Sequence, residues 1–67
     1  MSTFGENLKK LREKAGLTQS ELASMCFVSS QMICCIEGGS KQPSLNLALG
    51  LAQVLGTDVE TIAGKKR

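Results

Sequence analysis

Residues 17–39 read L-T-Q-S-E-L-A-S-M-C-F-V-S-S-Q-M-I-C-C-I-E-G-G, which describes two short amphipathic helices separated by a tight turn. Thr18 and Glu21 have the spacing of a capping box, in which each side chain accepts a hydrogen bond from the other residue's backbone N–H. Ser29 is placed to cap the second helix, and Gly38-Gly39 supplies the positive φ that ends it. This layout leaves the outer face of the second helix free to enter a groove of DNA.

Three further helices are predicted around this pair from their start and stop signals. The predicted segments begin at Thr3 with Glu6, at Pro43 with Ser44 and at Thr57 with Glu60, and the first two run to about Lys14 and Leu55 with Gly16 and Gly56 as stops. No alternating run supports a strand. The sequence therefore predicts an all-α, compact five-helix domain over residues 1–67, with a core at about 4–63 and a short basic tail at 64–67.

Length and composition limit the class of protein. A chain of 67 residues buries only about 60% of its unfolded surface, so we expect one small domain. We expect no cofactor, and no small-molecule ligand is evident. The net charge of +2 is too mild to identify a partner. No apolar run approaches the roughly 20 residues that span a bilayer, and residues 1–6 lack an export signal, so we expect a cytoplasmic protein with no membrane partner.

The motifs in this order resemble the lambda-repressor-like, Cro/cI-type (XRE) family of bacterial and phage transcription regulators. They are R-E-K-A-G-L-T-Q-S-E-L-A at 12–23, Val28-Ser29, I-x-x-I-E-x-G at 33–39, P-S-L at 43–45, L-A-x-x-L-G at 51–56 and D-V-E-T-I at 58–62. The resemblance extends from about Glu6 to Ala63. It implies a sequence-specific regulator, a repressor rather than an activator, that binds double-stranded DNA at a short palindromic operator as a homodimer.

The resemblance places the third helix in the major groove, with its N-terminal residues at the base edges. Gln31 is the expected principal reader, because its amide both donates and accepts, as adenine N6 and N7 require. Ser30 and Cys35 are also expected to face the bases, and Met32 is placed to touch a thymine methyl. The alternative is that Gln31 is only a solvated side chain.

Phosphate contacts are expected from the N-termini of the second and third helices, where the helix dipole favours anions. The side chains expected to position the DNA are Gln19, Thr18, Ser29, Lys41, Arg12 and Lys10. Arg12 and Glu37 are similar to the family's Arg–Glu pair, which links the first helix to the end of the third. The alternative is two independent surface charges.

Two departures from the family pattern affect these expectations. The common basic residues in and after the recognition helix are replaced by Ser30, Cys35 and Gly38, which predicts few neutralised phosphates and a shallow salt dependence. The usual glycine of the inter-helix turn is Phe27, so that turn has either a geometry that tolerates a side chain or a strained positive φ.

The fourth helix has more apolar residues than one core face requires. Leu45, Ala48, Leu51, Ala52 and Leu55 share one predicted inward stripe. The residues expected to contact a second subunit are Leu47 and Val54 of this helix with Val59 and Ile62 of the last. The alternative is that a small protein simply exposes some apolar atoms.

Two competing functions remain open from the sequence. Cys26, Cys34 and Cys35 allow a thiol-based redox sensor acting through Cys35, although Cys26 is expected to be a small core hydrophobe. The weakly charged recognition helix allows a protein-interaction module of the same fold. No metal site is expected, because histidine and paired C-x-x-C motifs are absent. Catalysis is not expected either.

Overall fold

A computed structural model describes residues 3–64, which contain five α-helices and no strand within that range. The helices are α1 (Phe4–Lys14), α2 (Gln19–Met25), α3 (Ser30–Gly38), α4 (Leu45–Val54) and α5 (Val59–Ala63). The all-α, five-helix prediction is therefore confirmed. The basic tail predicted at 64–67 lies, beyond Gly64, outside the described residues.

Local hydrogen bonds set the starts of the first two helices. The backbone N–H of Glu6 donates to Thr3 Oγ1 and that of Thr3 donates to Glu6 Oε1, both at 3.1 Å. Thr18 and Glu21 form the same reciprocal pair at 2.8 and 3.0 Å. Both capping boxes were predicted. Such a prediction is possible from the sequence because the two residues of each box are only three positions apart.

The start of α5 differs from the prediction, since Asp58 and not Thr57 is the N-cap. The Asp58 carboxylate accepts a 2.8 Å hydrogen bond from the Thr61 backbone N–H. Thr57 is engaged elsewhere: its own N–H donates to the Ala52 carbonyl at 2.9 Å and closes the end of α4. Hydrogen bonds from Thr61 hold the pKa of Asp58 below its usual value. The cap therefore stabilises α5 fully at a pH above the usual pKa of an aspartate, and this stabilisation is lost as the pH falls through the lowered pKa.

The end of α3 also differs from the prediction in one respect. Gly39 alone has a left-handed φ, +85°, whereas Gly38 is the last helical residue. The N–H groups of Ser40 and Lys41 then both donate to the Cys35 carbonyl, at 2.9 and 3.3 Å. This capping arrangement folds the chain back and brings Lys41 alongside α3.

Phe27 adopts the strained alternative at the turn between α2 and α3. Its φ is +61°, and it is the one non-glycine residue with a positive φ among residues 3–64. The ring is 95% exposed, so packing does not offset the cost of a left-handed conformation in an L-residue, about 1–2 kcal/mol.

Replacing Phe27 by glycine is expected to raise the free energy of unfolding. Glycine removes the steric cost of the left-handed φ but adds about 0.5–1 kcal/mol of unfolded-chain entropy, so the net gain is about 0.5–1 kcal/mol. Urea unfolding monitored by circular dichroism measures it. Phe27→Ala is the control, because alanine keeps the strain and removes only the exposed ring. Equal stability of the glycine and alanine variants would contradict this account of the turn.

All five helices contribute side chains to one hydrophobic core. Its largest fully buried side chains are Leu8, Leu22, Ile33, Ile36, Leu51 and Ile62. Asn7 Nδ2 donates to the Ile62 carbonyl at 2.7 Å and ties α1 to α5. Gly5 is also buried, at the point where α1 crosses the last turn of α3 and meets the carbonyl groups of Ile36 and Glu37.

Two predictions about apolar residues are wrong. Leu45, assigned to the inward stripe of α4, is 71% exposed. It is the first residue of the helix, and helical side chains tilt toward the N-terminus, so Leu45 points beyond the packed part of α4. Ile62, assigned to a subunit contact, is 0% exposed and belongs to the core of its own chain. Leu47, Val54 and Val59 are half-buried against that core.

Candidate nucleic-acid interface

The helical period divides α3 into two faces. Ile33, Ile36 and Glu37 are buried against the rest of the protein. Gln31 and Cys35, one turn apart, lie on the opposite face, with Gln31 exposed and Cys35 half-buried. The helix thus presents a polar amide and a thiol to the surroundings.

A shallow concavity on this face gathers residues from α3 and from the loop that follows it. Ser29, Gln31, Met32, Cys35 and Lys41 line it, and we call it the recognition concavity. Met32 is half-buried and packs against the core. Three of the four predicted base readers thus lie together, whereas Ser30 is exposed but does not line the concavity. The proximity of Lys41 was not predicted, although the positive-φ glycine before it signals such a folded-back loop.

Arg12 and Glu37 form a buried ion pair between α1 and α3. Arg12 Nε donates to Glu37 Oε2 at 2.6 Å and Nη2 donates to Oε1 at 3.1 Å, which is a bidentate arrangement. Arg12 Nη1 donates in addition to the Leu17 carbonyl at 2.8 Å. The Arg12 side chain is 10% exposed, and three of its five N–H groups donate to partners within the protein.

Gln19 joins this pair, because its Nε2 donates to Glu37 Oε1 at 3.0 Å. The three side chains therefore form a polar cluster that links the end of α1 and the start of α2 to the end of α3. The hydrogen bond with Glu37 raises the pKa of Arg12, which favours the charged guanidinium that the ion pair requires. One amide hydrogen of Gln19 remains for another acceptor.

The other predicted phosphate contacts are exposed. They are Thr18, Ser29, Lys41 and Lys10. Thr18 and Ser29 use hydroxyl lone pairs to cap α2 and α3, which leaves each O–H free to donate outward. The first turn of α3 contains no acidic side chain, so the partial positive charge of its N-terminus is not neutralised there.

The cysteines differ in exposure. Cys26 is half-buried, and desolvation raises its pKa, which lowers its thiolate fraction. Cys34 is exposed, and Cys35 is half-buried in the recognition concavity. Across residues 3–64, no three His, Cys, Asp or Glu side chains are close enough to hold a metal ion. None of the helices there has the length and apolar character needed to cross a bilayer.

Comparisons with known proteins also indicate a helix-turn-helix domain. The family model described as a helix-turn-helix domain matches residues 3–63. An uncharacterised HTH-type transcriptional regulator from Methanocaldococcus jannaschii is 44% identical over 55 residues, which cover 82% of this chain and 83% of that protein.

Two solved structures are similar to the whole arrangement. The P22 c2 repressor, crystallised with a synthetic operator, superposes with a TM-score of 0.93 at 23% identity and covers 98% of this chain and 100% of that one, which shows the fold alone. The restriction-modification controller protein C.AhdI from Aeromonas hydrophila gives a TM-score of 0.84 at 30% identity, covering 88% of this chain and 89% of that one.

Proposed function

The chain belongs to the helix-turn-helix domain family, among the XRE-like DNA-binding transcriptional regulators, and from that membership we propose that it is a repressor of a short palindromic operator. The observation that carries the proposal is the outer face of α3. Gln31 and Cys35 are presented there beside a helix N-terminus without acidic neighbours, while the opposite face is fixed in the core. The P22 c2 repressor, a structural neighbour, is bound to operator DNA in its crystal.

Direct reading of bases is assigned to Gln31. An α-helix of about 10–12 Å diameter fits the roughly 12 Å width of the major groove. Gln31 is exposed, so its amide is available to pair with adenine N6 and N7. Such a bidentate pair contributes about 1–3 kcal/mol of discrimination between bases.

Phosphate contacts fix the position of α3 in the groove. The N-terminus of α3, the hydroxyls of Thr18 and Ser29 and the ammonium groups of Lys10 and Lys41 are the groups we assign to them. The buried cluster of Arg12, Gln19 and Glu37 acts indirectly, because it holds α3 against the two helices that contact the backbone. With two lysines in this set, the dependence of binding on salt should be shallow.

A palindromic site requires two copies of the chain. We assign the subunit contact to the half-buried edge formed by Leu47, Val54 and Val59, without Ile62. Each of these side chains already packs partly against its own core, so little apolar area is left for a partner. The dimer is therefore expected to be weak in solution and to assemble on the operator.

The proposed mode of repression is occlusion of RNA polymerase by the bound dimer. This requires a cytoplasmic protein with access to DNA. It requires no cofactor and no small-molecule ligand, and we assign no catalytic step to the chain. The preference for repression over activation comes from the family resemblance rather than from any single residue.

Selection of binding sites from a random duplex pool tests the proposal. The expected winner is a palindrome that the protein binds at least about a thousandfold more tightly than a scrambled duplex. Gln31→Ala is expected to reduce that preference by about 5- to 150-fold per half-site, which corresponds to the loss of one bidentate contact. Gln53→Ala, an exposed glutamine on α4, is the matched control and should bind as the unsubstituted protein does.

The same titration measures stoichiometry when it is followed by sedimentation. Two chains per operator are expected, with free protein largely monomeric at low concentration. Equal, salt-sensitive binding to winner and scramble would contradict sequence-specific regulation and favour a protein-interaction module. One chain per operator, with specificity intact, would contradict only the homodimer.

A further inference from the structure

The recognition concavity has an apolar, sulfur-containing wall beside its polar reader. Met32 and Cys35 form that wall, and Gln31, Ser29 and Lys41 surround it with polar groups. A free thiol behaves as a small hydrophobe, and a methionine thioether is apolar and adaptable. The face that meets the bases therefore contains one spot suited to an apolar group of about methyl size.

The composition of α3 argues against guanine as the partner for this spot. Guanine O6 and N7 are usually read by arginine or lysine, and α3 contains neither. Its one charged side chain, Glu37, is buried in the bidentate pair with Arg12. Lys41 lines the concavity from the following loop, where it is placed to contact a phosphate. Along the major groove the apolar group that bases display is the C5 methyl of a pyrimidine.

The separation of Gln31 and Cys35 along α3 indicates where that pyrimidine lies relative to the base read by Gln31. Cys35 follows Gln31 by four residues, which is about 6 Å along the helix axis at 1.5 Å per residue. Successive base pairs are about 3.4 Å apart. Cys35 therefore reaches a base pair one or two steps from the one that Gln31 contacts.

We propose that Cys35, supported by Met32, contacts the C5 methyl of a pyrimidine one or two base steps from the adenine read by Gln31. The proposal rests on the proposed function, and it names the chemistry that the operator must offer. Thymine and 5-methylcytosine both present this methyl group. The sulfur wall thus makes Cys35 a residue that determines operator specificity.

The test replaces single thymines of the selected operator by deoxyuridine, which removes the C5 methyl and leaves base pairing unchanged. At one symmetric pair of positions we expect affinity to fall about fourfold per half-site, the effect of losing one buried methyl-sized group. Cytosine and 5-methylcytosine placed at those positions distinguish the two sources of the methyl. The 5-methylcytosine duplex is expected to bind more tightly than the cytosine duplex.

Variants assign the effect to Cys35. Cys35→Ser, which replaces the thiol by a hydroxyl, is expected to bind thymine and deoxyuridine operators equally. Cys34→Ser is the matched control, because Cys34 is the neighbouring exposed thiol and does not line the concavity. It should retain the fourfold discrimination.

Each outcome has a defined meaning. Specific binding that is unchanged by deoxyuridine at every thymine, or discrimination that survives in Cys35→Ser, would overturn the assignment while leaving the proposed function intact. A pool without a preferred duplex would overturn the proposed function, and this inference with it.

Discussion

Replacing Glu37 by alanine is expected to lower the free energy of unfolding by about 3–5 kcal/mol, because it leaves the Arg12 guanidinium buried without its partner. A domain of 67 residues has about 3–10 kcal/mol in total, so the variant is expected to lose a third or more of its stability and to melt at a much lower temperature. Specific DNA binding should be lost in parallel, since Glu37 also holds Gln19. Thermal unfolding by circular dichroism and operator titration at low temperature measure the two effects.

Two controls distinguish the effect of breaking the buried ion pair from the effect of removing any negative charge. Glu13→Ala removes a carboxylate of the same kind from an exposed position on α1, and its melting curve should hardly move. Combined replacement of Arg12 by Met and Glu37 by Leu removes both charges, and it should recover part of the lost stability. A Glu37→Ala protein with an unchanged melting curve and full binding would show that the pair has no role in either.

Replacing Gly5 by alanine is expected to destabilise the protein by about 3 kcal/mol. The new Cβ would overlap the Ile36 carbonyl oxygen and lie 2.8 Å from that of Glu37. Both are backbone atoms of α3, so no side-chain rotation relieves the clash and α1 must move away from α3. Chemical denaturation measures the loss. Because the crossing orients α3, operator binding should weaken even where the variant is folded.

Gly50→Ala is the matched control for Gly5→Ala. Gly50 lies inside α4, and a Cβ built there meets no atom within 4 Å. Alanine is a better helix former than glycine, so this variant is expected to gain about 0.5–1 kcal/mol. The same substitution thus has opposite signs at two helical glycines. Equal effects at both positions would contradict the close crossing of α1 and α3.

Features that depend on neighbouring residues could be predicted from the sequence. The capping boxes at Thr3 and Thr18 involve residues three positions apart, and the structure has both. The start of α5 was predicted one residue too early, because it depends on a contact with the preceding helix. Whether Thr57 caps α5 or closes α4 depends on the Ala52 carbonyl, and the spacing alone does not reveal that competition.

Features that depend on three-dimensional packing were predicted less well. The Arg12–Glu37 pair was anticipated only through the family resemblance, and the bond from Gln19 that completes the cluster was not anticipated. Gly5 gave no signal, because a glycine near a helix start is unremarkable until the partner helix is in place. Leu45 was predicted to be buried and is exposed, whereas Ile62 was predicted to contact a second subunit and is buried. Helical periodicity indicates which way a side chain points, but not how far the neighbouring helices extend.

The division of α3 into two faces has a consequence for how this protein can change. Ile33, Ile36 and Glu37 maintain the fold, whereas Gln31 and Cys35 alternate with them along the chain and take little part in the core. If α3 reads an operator as proposed, substitutions of Gln31 and Cys35 are expected to alter what the helix recognises at small cost in stability. Under the proposed function, one or two such mutations should therefore change the operator preference while every intermediate sequence still folds.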